Sequence, residues 1–113
     1  MSTKKKQIRE KFRSAVFERD GHKCRVCGRA VECDAHHIVD RNELPAGGYV
    51  KENGISLCCV PNGPEQSCHE KAEVYHSSGS TSSVPGFLPE DLYKLIGSSY
   101  EKALEASKKL EKT

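Results

Sequence analysis

Two histidines stand side by side in the stretch DAHHIVD, residues 34–40. In a regular strand, consecutive side chains project to opposite faces, so one apolar face cannot use both rings. His36 and His37 therefore indicate either an irregular strand end, where both rings reach one site, or a solvated loop. Because imidazoles bind divalent metals and exchange protons near neutral pH, the first case would be a site for chemistry.

Six cysteines form a second group of reactive residue types. Cys24 and Cys27, in the knuckle CRVCG, can hold one tetrahedral Zn²⁺ between two thiolates in a tight turn. The other two ligands would be Cys68 and either Cys58 or Cys59, of which we favour Cys58. Nine residues separate Cys58 from Cys68, and lengthening a loop costs little entropy. The sequence thus predicts a structural zinc site of four thiolates.

Other uses of these cysteines are less well supported. Cys33 and the spare member of the adjacent pair are interpreted as small buried hydrophobes. A disulfide framework would suit a secreted chain, but the first twenty residues lack the apolar stretch of a secretory signal, and no run is long enough to span a membrane. We therefore expect a cytoplasmic protein, in which paired cysteines more often bind metal. A redox role for CRVCG lacks the surrounding βαβ pattern.

The elements that must position these residues can be read from apolar spacing and turn residues. An amphipathic helix is predicted over residues 7–19, ending at Asp20-Gly21. Short, partly β-branched runs at 30–39 and 53–60 surround the turn-rich loop ELPAGGY and predict a hairpin. A short helix is predicted over 68–76. The fold class is therefore α+β.

The remaining third of the chain carries no residues that suggest chemistry. SSGSTSSVPG has the composition of a flexible linker, and one long helix is predicted to begin near Pro89. Its apolar stripe would pack on the domain or on a second copy of the chain, in a homodimer. The stripe comprises Leu92, Leu95, Ile96, Tyr100, Ala103, Leu104 and Leu110. We divide the chain into a core (1–76), a linker (77–88) and a C-terminal amphipathic helix (89–113).

Composition and charge narrow the class of protein further. A chain of 113 residues with 35% hydrophobic and 6% aromatic residues is one small domain with a sparse core, which a metal staple would stabilise. Residues 1–29 hold ten Lys or Arg against three acids, whereas the rest holds eight against thirteen. A basic arm on a more acidic body indicates contact with a polyanion. For Lys4, Lys5 and Lys6 alone, a solubilising tail is an equal alternative.

The motifs CRVCG, DAHHI, ENGISLC and CHEKAE follow one another between residues 12 and 76. In this order they resemble the zinc-ribbon members of the HNH endonuclease family, a likeness that spans a little over half of the chain. The resemblance implies a ββα-metal core, in which a hairpin and a helix hold a catalytic divalent cation. It also implies that the protein nicks DNA, cutting one strand per active site and leaving a 5′ phosphate and a 3′ hydroxyl.

By position, the resemblance assigns His36 and His69 to the catalytic cation and His37 to the general base. Asn53 takes the place of the family's middle residue, which braces the loop between the strands. The cation would be Mg²⁺ or Mn²⁺, and histidine ligands also suit Ni²⁺. One ring of the adjacent pair would thus hold the metal while its neighbour accepts a proton.

Two carboxylates could support this site. Glu73 lies four residues after His69 on the predicted helix, where it would complete the metal shell or remain a solvent-facing charge. Asp34 lies two residues before His36 on one strand face, where it would orient that imidazole or remain exposed. Two histidines fit neither motif and are predicted to be surface residues: His22 and His76.

Nucleic acid is the expected partner. Four basic residues are predicted to contact DNA phosphates: Arg9, Arg13, Arg41 and Lys51. Gly47-Gly48 would either let backbone amides approach a phosphate or simply make the turn. No base-reading helix can be identified, so we expect relaxed sequence preference. The alternative is a non-catalytic zinc-ribbon module that binds nucleic acid, although binding alone has no need of a free base beside a metal ligand.

Overall fold

A short antiparallel hairpin lies at the centre of the structure, with helices on both sides of it. The structure is a computed structural model that describes residues 2–112, and side chains from residue 4. Its helices and strands are α1 (Ser2–Arg19), β1 (Cys33–His37), β2 (Gly54–Cys58), α2 (Cys68–Ser77), α3 (Pro89–Leu95) and α4 (Tyr100–Glu111). The predicted α+β class is confirmed. None of the described helices is both long and apolar enough to cross a membrane.

The hairpin is shorter than the sequence suggested. Each strand has five residues, in a register that pairs Cys33 with Cys58 and His37 with Gly54. Single backbone hydrogen bonds, from Ile38 to Asn53 and from Cys59 to Glu32, extend the pairing by one residue at each end. All five residues of β2 are buried. Strand β2 is therefore buried along its whole length. Asn53 directly precedes it, and Cys58 is its last residue.

Helix α1 packs directly on strand β2. Phe12 and Val16, four residues apart on one helical face, are 3% and 0% exposed. They meet the backbone of Gly54, where a Cβ atom would come within 2.6 Å of Val16 and 2.7 Å of Phe12. A glycine is therefore required for this close approach. The helix begins before the predicted residue 7 because STKKK contains no helix breaker and its lysines favour helix.

Charged side chains fix the end of α1 against β2. The Arg19 guanidinium donates hydrogen bonds to the carbonyl oxygens of Lys51 and Gly54, both at 2.6 Å. Asp20 is 6% exposed and accepts a hydrogen bond from Ser56 N at 2.9 Å and another from Arg19 Nε at 2.8 Å. Charge-assisted bonds of this kind are roughly twice as strong as neutral ones. The helix therefore ends where predicted.

Helix α2 covers the other face of the hairpin. A capping box starts it, since the Ser67 hydroxyl accepts from Glu70 N while the Glu70 carboxylate accepts from Ser67 N. Its residue Ala72 is buried in the core. The segment of 60–66 that joins β2 to α2 lies outside the core, and residues 61–66 are exposed. Within it, the backbones of Asn62 and Glu65 exchange two hydrogen bonds of 3.2 Å.

The single C-terminal helix predicted from Pro89 is wrong, because two helices occupy this region. Gly97, with φ +66°, ends the first in a left-handed conformation that glycine adopts without steric cost. Ser99 caps the second by accepting a hydrogen bond from Lys102 N at 3.1 Å. The predicted apolar stripe is not continuous across these two helices, because Leu95 and Tyr100 are 41% and 43% exposed.

The C-terminal helices nevertheless share the core of the hairpin. Leu92, Tyr93 and Ala103 are buried in one hydrophobic cluster with Ile38 and other residues of the core. The segment predicted as a flexible linker also ends in that cluster, because Phe87 is only 6% exposed. An aromatic anchor therefore holds the start of α3 to the rest of the molecule.

Candidate metal centres and active-site cavity

The four cysteines favoured from the sequence lie together. Cys24 and Cys27 come from the knuckle, Cys58 ends β2 and Cys68 opens α2, and their Sγ atoms all lie within 4.8 Å of one another. The Sγ atoms of Cys27 and Cys58 are 3.7 Å apart. Tetrahedral zinc with Zn–S bonds of about 2.3 Å places its sulfurs about 3.8 Å apart. The donor set and spacing fit one tetrahedral metal ion.

Backbone geometry turns the thiols toward this centre. In the knuckle, Gly28 N donates to Cys24 O at 3.0 Å, and Gly28 has φ +78°, which turns the chain back on itself. Backbone N–H groups also point at sulfur, from Cys27 to Cys24 Sγ at 3.4 Å and from Cys68 to Cys58 Sγ at 3.3 Å. These backbone donors thus help to hold the two sulfur atoms in place within the cluster.

Arg29, which the sequence interpretation left without a role, lies against the cluster. Its Nη2 atom donates to Cys58 Sγ at 3.2 Å and to Val60 O at 2.6 Å. Burial raises the pKa of the Cys27 thiol, but hydrogen bonds from Arg29 outweigh that effect and lower the pKa to about 6. Four thiolates around a divalent ion carry a net charge of −2, so a guanidinium here offsets part of the excess.

The two remaining cysteines stand apart from the cluster. Cys59 points away from it and donates a weak hydrogen bond to Glu32 O at 3.4 Å. Cys33 is half-buried, packs against the core and donates to Val31 O at 3.1 Å. The prediction that both are small buried hydrophobes therefore agrees only in part with the structure, because Cys33 is half-buried against the core and Cys59 is half-buried outside the core cluster. The choice of Cys58 over Cys59 therefore agrees with the cluster geometry.

A second group of candidate metal ligands lies between β1 and α2. His36, His69 and Glu73 each offer a ligand atom, and these atoms lie within 4.8 Å of one another. His36 is 4% exposed, and its Nε2 atom is buried with no hydrogen-bond partner among the described residues. Burial, followed by the charges of His69 and two other histidines, holds the pKa of His36 well below its usual value. The ring therefore stays neutral, which is the form that binds metal.

Asp34 supports this group differently from the prediction, which placed it behind His36. Its Oδ2 atom is 3.1 Å from Nδ1 of His69, within ion-pair distance. Asp34 and His36 do share a strand face, but α2 brings the His69 ring over the same face. This contact orients the His69 ring and leaves its Nε2 atom 3.6 Å from Glu73 Oε1.

His37 points to the opposite face of the hairpin, toward α1. Its ring stacks on Phe12, with centroids 4.6 Å apart, and meets Tyr49 edge to face at 4.7 Å. Its Nε2 atom is buried and has no hydrogen-bond partner in the described part of the chain. Burial, and next the positive charge of Arg41, lower the pKa of His37 to about 4. The imidazole is thus unprotonated at neutral pH and held in one orientation.

One cavity of about 290 Å³ unites the two faces of the hairpin at the end of β1. Its lining consists of His36, His37, Asp40, Arg41, Glu73 and His76. The neighbouring histidines project to different sides, yet both reach this space because the strand ends at His37. The strand-end interpretation of DAHHIVD is therefore the one that matches the structure.

The prediction that His76 is a surface residue is wrong. Its Nε2 atom donates to the carbonyl oxygen of His37 at 3.2 Å, and its ring centroid is 5.3 Å from that of His36. A sequence signal for this position existed, because His69, Glu73 and His76 are spaced i, i+4 and i+7 and so share one helical face. His22, by contrast, is exposed, as predicted.

Asn53 lies beneath the loop between the strands and is fully buried. Its Oδ1 atom accepts hydrogen bonds from Val39 N at 3.0 Å and from Tyr93 Oη at 2.8 Å. Its Nδ2 atom donates to Val39 O at 3.1 Å and to Gly48 O at 3.3 Å. A Cβ atom on Gly48 would lie 2.8 Å from Asn53 Nδ2, so that glycine is needed for the loop itself. Asn53 therefore braces the loop that leads away from the histidine pair.

The four basic residues expected to contact DNA do not lie together. Arg41 lines the cavity, and its Nη1 atom donates to Tyr49 Oη at 3.1 Å. Arg9 lines a neighbouring groove, whereas Arg13 lies over the ring of Phe17, 5.1 Å from its centroid. Lys51 borders a separate hollow between α1 and the end of α4.

Comparisons with protein-family models, with curated proteins and with solved structures found no match to this chain. Its function must therefore be argued from the arrangement of its own side chains.

Proposed function

We propose that the protein is a metal-dependent DNA endonuclease of the HNH type. The observation that carries the proposal is one cavity with two kinds of histidine. His36 belongs to a cluster of three side chains that could hold a metal ion, whereas the neighbouring His37 has a buried nitrogen outside that cluster, without a hydrogen-bond partner among the described residues. A protein that only binds DNA would not need an unprotonated histidine such as His37 beside a metal ligand.

In this proposal the protein has two metal sites with different tasks. The four-cysteine cluster holds a structural zinc ion, which joins the knuckle, β2 and α2. His36, His69 and Glu73 hold a catalytic cation, Mg²⁺ or Mn²⁺, with Ni²⁺ as a further candidate because two ligands are imidazoles. When bound, that cation would stabilise negative charge on the phosphate and on the leaving oxygen.

His37 acts as the general base. Its unprotonated ring can accept a proton from the attacking water, and the stack on Phe12 keeps the accepting nitrogen directed at one place. A pKa of about 4 makes the imidazole a weaker base than one matched to neutral pH, but nearly every molecule has the base available there. The fixed orientation of the His37 ring and its unprotonated state at neutral pH thus compensate for its low basicity.

The other residues of the cavity position and bind. Asp34 orients His69, while Asn53 fixes the loop that carries Asp40 and Arg41. Arg41 presents a guanidinium to the cavity, where its planar donors suit a phosphate. In-line attack by water that forms a new P–O bond and breaks the bond from phosphorus to the 3′ oxygen would leave a 5′ phosphate and a 3′ hydroxyl, the products that the HNH resemblance implies. One such site cuts one strand, so a double-strand break would need two copies or two successive nicks.

A plasmid assay tests the proposal. Supercoiled plasmid is incubated with protein and Mg²⁺ or Mn²⁺, using the wild type, His37→Ala and, as a matched control, His22→Ala at an exposed position outside the cavity. We expect the wild type and the His22 variant to give open circles, and the His37 variant to be slower by about 10²- to 10⁴-fold. Zinc content should be the same in all three proteins.

Two results would contradict the proposal. Equal nicking by the His37→Ala protein would remove that residue from the mechanism. DNA binding without cutting by the wild type, with every metal tested, would favour a non-catalytic zinc-ribbon module.

A further inference from the structure

A second groove adjoins the active-site cavity and shares Arg41 with it. It encloses about 430 Å³, and its polar lining comes from Lys5 and Arg9 of α1 and from Arg41, Asn42 and Tyr49 of the loop between the strands. Because Arg41 lines both spaces, the groove continues directly from the cavity. A ligand that occupies the cavity can therefore extend along α1.

Two guanidinium groups line this groove beside one phenol. Arg41 Nη1 donates to Tyr49 Oη at 3.1 Å, and Arg9 lines the same groove. Burial raises the pKa of Tyr49, but its interactions with Arg41 and Arg9 lower it further, so the net pKa lies below its usual value. Cationic donors thus gather around a neutral side chain.

These charges lack an ion-pair partner among the side chains that the structure describes. Among the side chains that the structure describes, Lys5, Arg9 and Arg41 form no ion pair within 4.0 Å, and the groove lining contains no acid. Asp40, the nearest acid along the chain to Arg41, lies in the active-site cavity that Arg41 also lines, and its charge acts on Arg41 without forming an ion pair within 4.0 Å among the described side chains. Unpaired guanidinium groups that meet in a groove are suited to an anion with several acceptor oxygens.

The floor of the groove is also shaped by a glycine. A Cβ atom on Gly47 would come within 2.8 Å of the Tyr49 ring, so the ring lies directly across the backbone there. The same ring contacts His37 edge to face. Whatever binds Tyr49 Oη is therefore one side chain away from the proposed general base.

We propose that this groove binds the phosphate that neighbours the scissile phosphate in the same DNA strand. The inference rests on the proposed function, since it takes the cavity to hold the scissile phosphate. Arg9 and Arg41 bind the phosphate oxygens, Tyr49 donates its hydroxyl, and Lys5 adds a charge at the groove edge. Arg13 and Lys51 do not belong to this subsite, although the sequence grouped them with Arg9 and Arg41.

The salt dependence of DNA affinity distinguishes a phosphate bound in this groove from nonspecific electrostatic attraction of DNA to the basic helix α1. A labelled duplex of about 20 base pairs, close to two turns of B-DNA, is bound to the His37→Ala protein, and anisotropy is measured at several salt concentrations. Arg9→Gln is compared with Arg13→Gln, because both remove one exposed charge from α1. We expect the Arg9 change to reduce the slope of log K against log salt by about 0.9, the contribution of one phosphate contact. The Arg13 change should leave the slope within about 0.3 of the parent, well under one such contact.

Affinity and fold complete the test. We expect Arg9→Gln to weaken binding about tenfold, close to the contribution of one charge-assisted hydrogen bond, and Arg9→Lys to lie between this variant and the parent. Equal slopes and affinities for the Arg9 and Arg13 variants, with unchanged melting temperatures, would overturn the subsite. A protein that never cuts DNA but shows the Arg9 effect would retain the groove as a phosphate site while refuting the nuclease.

Discussion

Replacing each member of the adjacent pair Cys58 and Cys59 by serine tests the four-cysteine cluster. The two residues are neighbours, but only Cys58 places its sulfur in the cluster. Cys58 is 0% exposed and accepts hydrogen bonds from Arg29 and from the backbone of Cys68. The Cys59 thiol donates a weak hydrogen bond to the carbonyl oxygen of Glu32. Cys58→Ser and Cys59→Ser are thus the same chemical change, but only the first removes a sulfur from the cluster.

The magnitude follows from what each sulfur contacts. Structural zinc contributes roughly 10–16 kcal/mol of apparent binding free energy, so losing one of four ligands should lower the free energy of unfolding by at least about 3 kcal/mol. At roughly 4 °C per kcal/mol for a domain of this size, Cys58→Ser should melt at least about 12 °C lower. Cys59→Ser loses a contact of about 0.5 kcal/mol and should melt within about 2 °C of the wild type.

The assay combines thermal unfolding, followed by circular dichroism, with a metal determination on the purified proteins. The wild type and Cys59→Ser should each hold about one equivalent of zinc, and Cys58→Ser should hold less or lose it readily to a chelator. Two variants with the same melting temperature and the same zinc content would refute the cluster as a metal site. A larger effect at Cys59 would show that the register of β2 differs from Cys33 opposite Cys58.

The remaining predictions concern residues that position the cavity. Asp34→Asn removes the charge that orients His69, so Mn²⁺ affinity measured by calorimetry should fall about 10- to 100-fold while zinc content stays constant; unchanged Mn²⁺ affinity would contradict this role. Tyr93→Phe deletes one donor to Asn53 and should lower the free energy of unfolding by about 1 kcal/mol. Asn53→Ala leaves several loop groups unpaired and should cost about 2–4 kcal/mol in urea unfolding, and equal losses for these two variants would be inconsistent with a brace.

The sequence predicted the clustered cysteines better than the contacts around the histidines. The four favoured cysteines lie together, because their positions at a knuckle, a strand end and a helix start are local features. The partner of Asp34 was mistaken because strand alternation gives only the face of a side chain. Which ring α2 brings to that face depends on tertiary packing, which no spacing along the chain reveals.

Two other errors had signals in the sequence. The break between α3 and α4 falls at Gly97 and Ser99, a residue pair typical of a helix end followed by a new cap. The apolar spacing across the break concealed it. His76 was assigned to the surface because it fits no motif, although its spacing from His69 places both on one side of α2. Phe87, by contrast, lies in a segment whose composition gave no indication of burial.

The exposed segment between Cys58 and Cys68 should tolerate an insertion at its tip. The positions of both sulfurs depend on the end of β2 and the start of α2, and neither depends on the tip formed around Gly63. A Cβ atom on Gly63 would meet nothing within 4 Å. A fluorophore-binding peptide or an affinity tag inserted there would therefore report on the molecule from an exposed point outside the core, without touching either end of the polypeptide.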